Sequence, residues 1–299
     1  MWQICKKEWQ QFFSSVTGIM VPAIFLLLTG LLLFVFPDTS ILEFGYAQLD
    51  QFFSLMPWLL IFLIPAITMR SIADEAKQGT LETLFTLPIS KTAVILGKYF
   101  GVLGISIFTL LPTIIYPFSL QALSITGGID IGATLGSYCS LFLLAAVYAA
   151  IALVATASTK NSMAAFVLGA FGCLTMHSGF NAISKLPIFA DGTDYYIQLL
   201  GIQYHVANMS RGVLSAADII YFLALIGGSI YITISKFQTT RLRVWPTVAI
   251  TLAVIALGGN YIRYNIDLTQ EKRFTLSNST VQLLQQVDST IRVEVFLAG

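Results

Sequence analysis

Hydrocarbon thickness decides what this chain can fold into. Six runs, residues 16–36, 55–69, 97–120, 131–157, 163–176 and 218–235, carry almost no charge, and a seventh follows at 244–259. A helix needs roughly 20 mostly apolar residues to cross ~30 Å of hydrocarbon, so these runs predict membrane spans. Runs 55–69 and 163–176 are short and are expected to extend into their flanking loops. Composition closes off the soluble alternative. The chain is 56% hydrophobic and 10% charged, with a mean hydropathy of +0.80, whereas about a quarter of an average soluble domain is charged. Too few polar groups remain to coat a globule. A net charge of +1 gives no electrostatic case for nucleic acid. Cys5, Cys139 and Cys173 are scattered and suggest neither a disulfide framework nor a zinc site.

Lysine and arginine in the short connections set the expected orientation. Connections 37–54 and 121–130 contain none, while the alternate ones hold Arg70, Lys77, Lys91 and Lys98, then Lys160, then Lys236, Arg241 and Arg243. Lys6 and Lys7 precede the first span. The alternation predicts a cytoplasmic N-terminus; connection 177–217, with Lys185 and Arg211, is a partial exception offset by Asp191 and Asp194. Residues 1–15 do not read as a cleaved signal peptide. Their interleaved Trp2, Trp9, Phe12 and Phe13 with Lys6, Lys7, Glu8 and Gln10 suit a helix lying at the cytoplasmic interface; the alternative is a slightly amphipathic start to the first span.

Between two spans stands one charged, helix-forming stretch, residues 70–98. Its first part continues the second span into water, with Arg70 and Asp74 four apart on one face and able to pair. Gly79 breaks that helix. Thr80 is expected to cap a short second helix with Glu82 near its positive end. Pro88 stops it, and Ser90 is placed to cap the next helix back into the membrane. Leu81, Leu84 and Phe85 share one apolar face. A connection need be only a handful of residues, so this one either docks on a partner or folds its apolar face back on the membrane surface.

The pattern E-x-x-x-G-T-L-E-x-L-x-x-L-P-I-S-x-x-x-x-x-x-G-K from Glu75 to Lys98 resembles the first cytoplasmic loop of ABC-2 type transporter permeases. In that family the loop is the coupling region seated on the ATPase subunit. The resemblance implies that role for Glu75, Gly79, Thr80, Leu81, Glu82, Leu84 and Pro88, and Phe85 joins the candidate coupling residues through the apolar face it shares with Leu81 and Leu84. The turn 158–162 is a second, weaker docking candidate. Residues 210–222, SRGVLSAADIIYF, are similar to the outer loop of the gliding-motility-associated and copper-maturation branches, implying short re-entrant helices with Arg211 and Asp218. The plain alternative is an amphipathic lid in which those two form a solvated pair.

The tail resembles the start of the auxiliary subunit of the gliding-motility-associated system through Asp267, Leu268, Thr269, Lys272, Arg273, Thr275, Leu276 and Ser277. Ser277 can cap a helix ending near Val287, and residues 290–297 alternate as a half-buried strand does. One helix and one strand cannot bury a core, so the chain is expected to stop just inside an extracytoplasmic domain, with the two proteins fused near 237–245. The expected fold is an all-α polytopic membrane protein: an interfacial helix over 1–15, a six-helix permease bundle over 16–240, a seventh anchor helix at 241–262, and the beginning of an α/β extracytoplasmic domain at 263–299.

No phosphate loop is present, since Tyr99 follows the pair Gly97-Lys98 and Ala93 stands where the first glycine should. ATP and Mg are therefore expected on a partner ATPase, with no cofactor or metal on this chain and no enzyme activity. Cys173 and His177, four apart, are too few for a metal site. The spans lack a midplane carboxylate, against an ion-coupled secondary transporter, although unwound backbone can also bind ions. Gly97, Gly101 and Gly104, with Ala145, Ala146, Ala149, Ala150 and Ala152, read as close helix packing rather than a substrate path. The expected function is the permease subunit of an ATP-driven exporter in the inner membrane, in contact with lipid. It works as a homodimer or pseudo-dimer with two cytoplasmic ATPases and an extracytoplasmic auxiliary domain. A transport-free, force-transmitting scaffold of envelope machinery and a copper-enzyme maturation permease are the alternatives, with a passive channel or secondary transporter behind them.

Overall fold

The computed structural model describes residues 1–299 apart from 42–47, 125–127, 190–191, 238–245, 247–249, 252–263 and 287–299. Helix α1 spans Trp2–Phe13, α2 Val16–Phe34, α3 Asp50–Thr68, α4 Ala73–Gln78, α5 Thr80–Thr86 and α6 Lys91–Leu110. They are followed by α7 Ile115–Leu123, α8 Ile131–Thr156, α9 Ser162–Leu174, α10 Phe180–Ser184, α11 Thr193–Gln198, α12 Ile202–Ser210 and α13 Ala216–Phe237. Six helical units among the described residues are long and apolar enough to cross a membrane. The chain is a multi-pass, all-α membrane protein. The expected strand at 290–297 lies outside the described residues, as does the expected seventh span at 244–259 except for residues 246, 250 and 251.

Caps set where the spans begin. The side chains of Ser15, Ser90, Asp130 and Asn161 each accept a hydrogen bond from the first turn of α2, α6, α8 and α9, satisfying donors the helix cannot. The third span consequently starts at Lys91, six residues before the first residue of the apolar run, and continues past Pro112 through a 3-10 turn into α7. The fifth also outruns its apolar stretch. A π-helical turn, Thr175–Gly179, carries the polar residues Thr175, His177 and Ser178 on into α10.

Helix α8 is the axis of the bundle, packed against α3, α6, α9, α12 and α13. Lipid is as apolar as leucine, so helices in a bilayer associate through close packing of small residues rather than through hydrophobic expulsion. Ala145, Ala146, Ala149, Ala150 and Ala152 are all buried, and a Cβ on Gly169 of α9 would stand 3.6 Å from Ala152. Helices α2 and α9 turn Ile19, Leu27, Val167 and Phe171 outward.

The two ends of α8, about 39 Å apart for 26 residues at 1.5 Å each, define two faces. Near Thr156 lie the 70–98 loop and the end of α13. Near Ile131 lies the tail. There β1, Val213–Ser215, pairs antiparallel with β2, Asn265–Asp267, with Leu214 opposite Ile266. Gly132 makes room for the carbonyl of Leu268, which a Cβ would meet at 1.6 Å, and the Leu268 amide donates to Gly212 O at 3.0 Å. The Asp267 carboxylate folds the turn behind β2. It accepts from the Thr269 amide (3.0 Å) and hydroxyl (2.6 Å), the Phe274 amide (2.9 Å) and the Thr275 hydroxyl (3.0 Å). Ser277 accepts from the Thr280 amide at 3.2 Å, at the head of the short helix Asn278–Gln285.

Candidate coupling site

The loop between the second and third spans is built by its punctuation. After α3 the chain turns at residues 69–72 and forms α4, which Gly79 ends at φ 75°, ψ 0°, a left-handed conformation that costs other residues roughly 1–2 kcal/mol. Helix α5 follows at once. Its end is set by Leu87, held extended at ψ 152° by the proline after it. Thr80 does not cap α5 from outside. It is the first helical residue, and its hydroxyl donates back to Glu75 O at 3.3 Å. Gly79 occupies the cap position because it alone tolerates the turn. Arg70 and Asp74 approach to 4.0 Å.

Beneath the loop lies a buried ion cluster. Lys98 is wholly enclosed, and its ammonium donates to Glu8 Oε1 at 2.7 Å and to Ser71 O at 2.6 Å. It also stands 2.8 Å from Glu75 Oε2, as a close ion pair rather than an aligned hydrogen bond. The other oxygen of Glu75 accepts from Lys7 at 2.8 Å. Two cations thus face two carboxylates, and all three ammonium hydrogens of Lys98 have an acceptor within reach. The cluster ties α1 (Lys7, Glu8), the loop (Ser71, Glu75) and α6 (Lys98) into one body.

The glycines of α6 make that body possible. A Cβ on Gly97 would lie 2.9 Å from Ile4 Cβ, on Gly101 2.8 Å from Glu8 Cβ, and on Gly104 2.6 Å from the Trp9 ring. Spaced four and three apart, they form a groove into which α1 settles. Helix α1 is therefore more than an amphipathic surface element. Trp2 stays 76% exposed while Ile4, Cys5 and Glu8 are buried.

The apolar face of α5 also turns inward. Leu81 joins the core, and the Phe85 ring meets Phe237, the last residue of α13, at 5.4 Å. Lys91 Nζ sits 5.5 Å from the Phe85 ring and donates to Phe237 O at 2.6 Å. The eight loop residues singled out by the sequence therefore separate by position. Glu75 and Leu81 are buried, Leu84 and Phe85 half-buried, and Gly79, Thr80, Glu82 and Pro88 exposed at the tip beside Thr83 and Leu87. The turn at 158–162 lies nearby, where Ser158 Oγ accepts from Lys236.

On the opposite face Arg211 and Asp218 are not brought together. Asp218 is buried rather than bathed at a span end, and its Oδ1 lies 2.5 Å from His205 Nδ1. The His205 ring stacks on Tyr221 at 3.7 Å, and its Nε2 donates to Leu199 O at 2.9 Å. Arg211 instead stays exposed on the wall of a cavity. Cys173 donates to the Tyr148 carbonyl at 3.8 Å, and no group of three metal-ligating side chains occurs among the described residues. Sequence reading missed Lys98 as a buried centre and Glu8 as its partner. The signal was available, since the motif's first and last charged residues are Glu75 and Lys98, and the glycines beginning at Gly97 mark the face beside Lys98.

A family model described as ABC-2 family transporter protein matches residues 37–200, more than half of the chain, including the whole 70–98 loop. No curated protein matches the chain. Six spans, the structured loop and this match converge: the chain belongs to the ABC-2 family of transporter proteins.

Proposed function

We propose that the chain is the membrane-spanning subunit of an ATP-driven export complex, oriented with α1 and the 70–98 loop in the cytoplasm. Family membership implies a non-catalytic permease that pairs with an ATPase subunit and with a second permease. In this reading the exposed tip, Gly79, Thr80, Glu82 and Pro88, sits on the ATPase, and ATP-driven closure of the ATPases pushes it. A loop that merely flopped could not pass on that work. The observation carrying the proposal is the enclosed Lys98 cluster, which supports a rigid link from the tip to α1 and α6. The positive-inside distribution of lysine and arginine supports the orientation.

Glu82→Arg and Leu84→Pro test it. Both variants should insert in the membrane yet lose co-purification of the ATPase; full ATPase retention would defeat the proposal. A second reading, a force-transmitting assembly of the gliding-motility type, draws support from one observation. The tail motif from Asp267 to Thr275 packs on the permease through β1 and β2, which suits a fused auxiliary segment. Reconstituted transport, or ATPase activity stimulated by a transported substrate, separates an exporter from a scaffold.

A further inference from the structure

The face opposite the loop holds a cavity of about 690 Å³ between the first turns of α3 and α8, helix α12 and the tail, large enough for a small organic ligand. Its deep part is not explained by packing alone. His177 lines it on the π-helical turn of the fifth span. That residue is 3% exposed and its Nδ1 has no hydrogen-bond partner, a costly state in a buried polar atom. Its ring meets Trp58 edge-on at 5.8 Å, and Phe53 and Pro57 continue the apolar wall along α3. Single-turn π-bulges are found disproportionately at functional sites. An apolar chamber with one buried ring nitrogen left open suits a ligand that brings a hydrogen-bonding group to that nitrogen.

Charge at the mouth narrows the class of ligand. Asp50 and Asp130 stand there against Arg211 and Arg273, so an ion of either sign is attracted by one pair and repelled by the other. Two of the four are already engaged. Asp130 caps α8, accepting from Ala133 N at 3.0 Å, and Arg273 leans on Glu271 at 3.2 Å. Asp50 and Arg211 line the same cavity, yet neither has an ion-pair partner among the described residues and they do not pair with each other. A molecule carrying one charge of each sign answers both. We propose that this cavity binds a zwitterion with an apolar body: its ammonium lies by Asp50, its carboxylate or phosphate by Arg211, its apolar part along Phe53, Pro57 and Trp58, and an amide or ester beside His177. Short apolar peptides and ethanolamine phospholipids share this chemistry. Thr269, Arg273 and Phe274 of the tail contribute to the lining, so the segment carried on β2 forms part of the site. Nothing in this assignment depends on ATPase coupling, and either can fail alone.

The test uses the full chain in maltoside detergent with Trp2, Trp9 and Trp245 replaced by Phe, so that Trp58 emission reports occupancy. Four forms of leucyl-leucine share one apolar body: the free dipeptide, its N-acetyl form, its C-terminal amide, and the form blocked at both ends. The proposal expects the free dipeptide to bind best and each singly blocked form about fivefold more weakly, the effect of roughly 1 kcal/mol at an exposed charge. Asp50→Asn should erase the advantage of the free dipeptide over its N-acetyl form, and Arg211→Gln its advantage over the amide. Both residues are exposed, so the fold of these variants is not in question. His177→Phe, which keeps a ring against Trp58, should weaken all four forms alike. Dihexanoyl phosphatidylethanolamine against dihexanoyl phosphatidylglycerol makes the parallel comparison for a lipid. Preference for the zwitterion in either series supports the proposal, and the series that shows it names the source. Equal binding of the free and doubly blocked dipeptides, with no preference between the two lipids, overturns it. So does tighter binding of the singly charged forms, a Trp58 signal that answers no probe, or a zwitterion preference that survives both Asp50→Asn and Arg211→Gln.

Discussion

Lys98 concentrates the energetics of the loop in one atom. An enclosed ammonium is tolerable only while Glu8, Glu75 and the Ser71 carbonyl surround it. Lys98→Met strips two buried carboxylates of their counter-ion and should destabilise the protein by about 3–5 kcal/mol, read as a lowered unfolding temperature in detergent. Adding Glu8→Gln and Glu75→Gln to the same chain should restore much of that loss, because removing a whole buried cluster costs less than leaving half of it. Asp267 is a second informative residue. The hydroxyl of Thr269 first, then the backbone amides of Thr269 and Phe274 and the Thr275 hydroxyl, hold its carboxyl below the usual range. A depressed folded-state pKa means that its contribution is present above the ordinary value near 4 and is lost as pH falls through the lower, folded value. The protection of the Thr269 and Phe274 amides, measured as exchange relative to the intrinsic rate at each pH, should therefore be high at neutral pH and be lost only as pH falls through the depressed folded-state value. In Asp267→Asn that protection should be low throughout.

At the scale of elements, the groove of α6 and the left-handed turn at Gly79 are the parts most sensitive to a single substitution. Gly101→Val would drive side-chain atoms into the Glu8 stem, at a cost of about 1–3 kcal/mol for overpacking. It should displace α1 and open the Lys98 cluster, measurable as increased proteolysis or exchange over residues 2–13. Gly79→Val, with open space around the position, costs only the backbone term of roughly 1–2 kcal/mol. It should leave the bundle intact while misdirecting α5, so ATPase co-purification falls with little change in unfolding temperature. Much at this scale was legible in sequence. Runs long enough for the bilayer gave the spans, and Gly79, Pro88 and Ser90 carry local rules that act within a turn. What was not legible depended on distant partners. Lys98 reads as a loop charge until α1 is seen to bring Glu8 to it across ninety positions, and the pairing of Val213–Ser215 with Asn265–Asp267 leaves no periodic trace in segments of three residues. Asp218 looked solvent-bound for the same reason, its partner His205 being supplied by a separate helix.

For the whole molecule, α8 runs between the loop cluster near Thr156 and the cavity that Asp130 and Arg211 line near Ile131. Small residues along α8 let its neighbours approach closely, and one of those neighbours, α6, is tied to the loop by the Lys98 cluster. The central claim is that a push on the loop tip moves α6 through the Lys98 cluster. Its most direct test is the distance between spin labels at Phe108 on α6 and Leu135 on α8, both exposed, in the complex reconstituted with its ATPase. The account predicts an ATP-dependent change in that distance which disappears in Leu84→Pro. An ATP-driven change of the same size in that variant would contradict it.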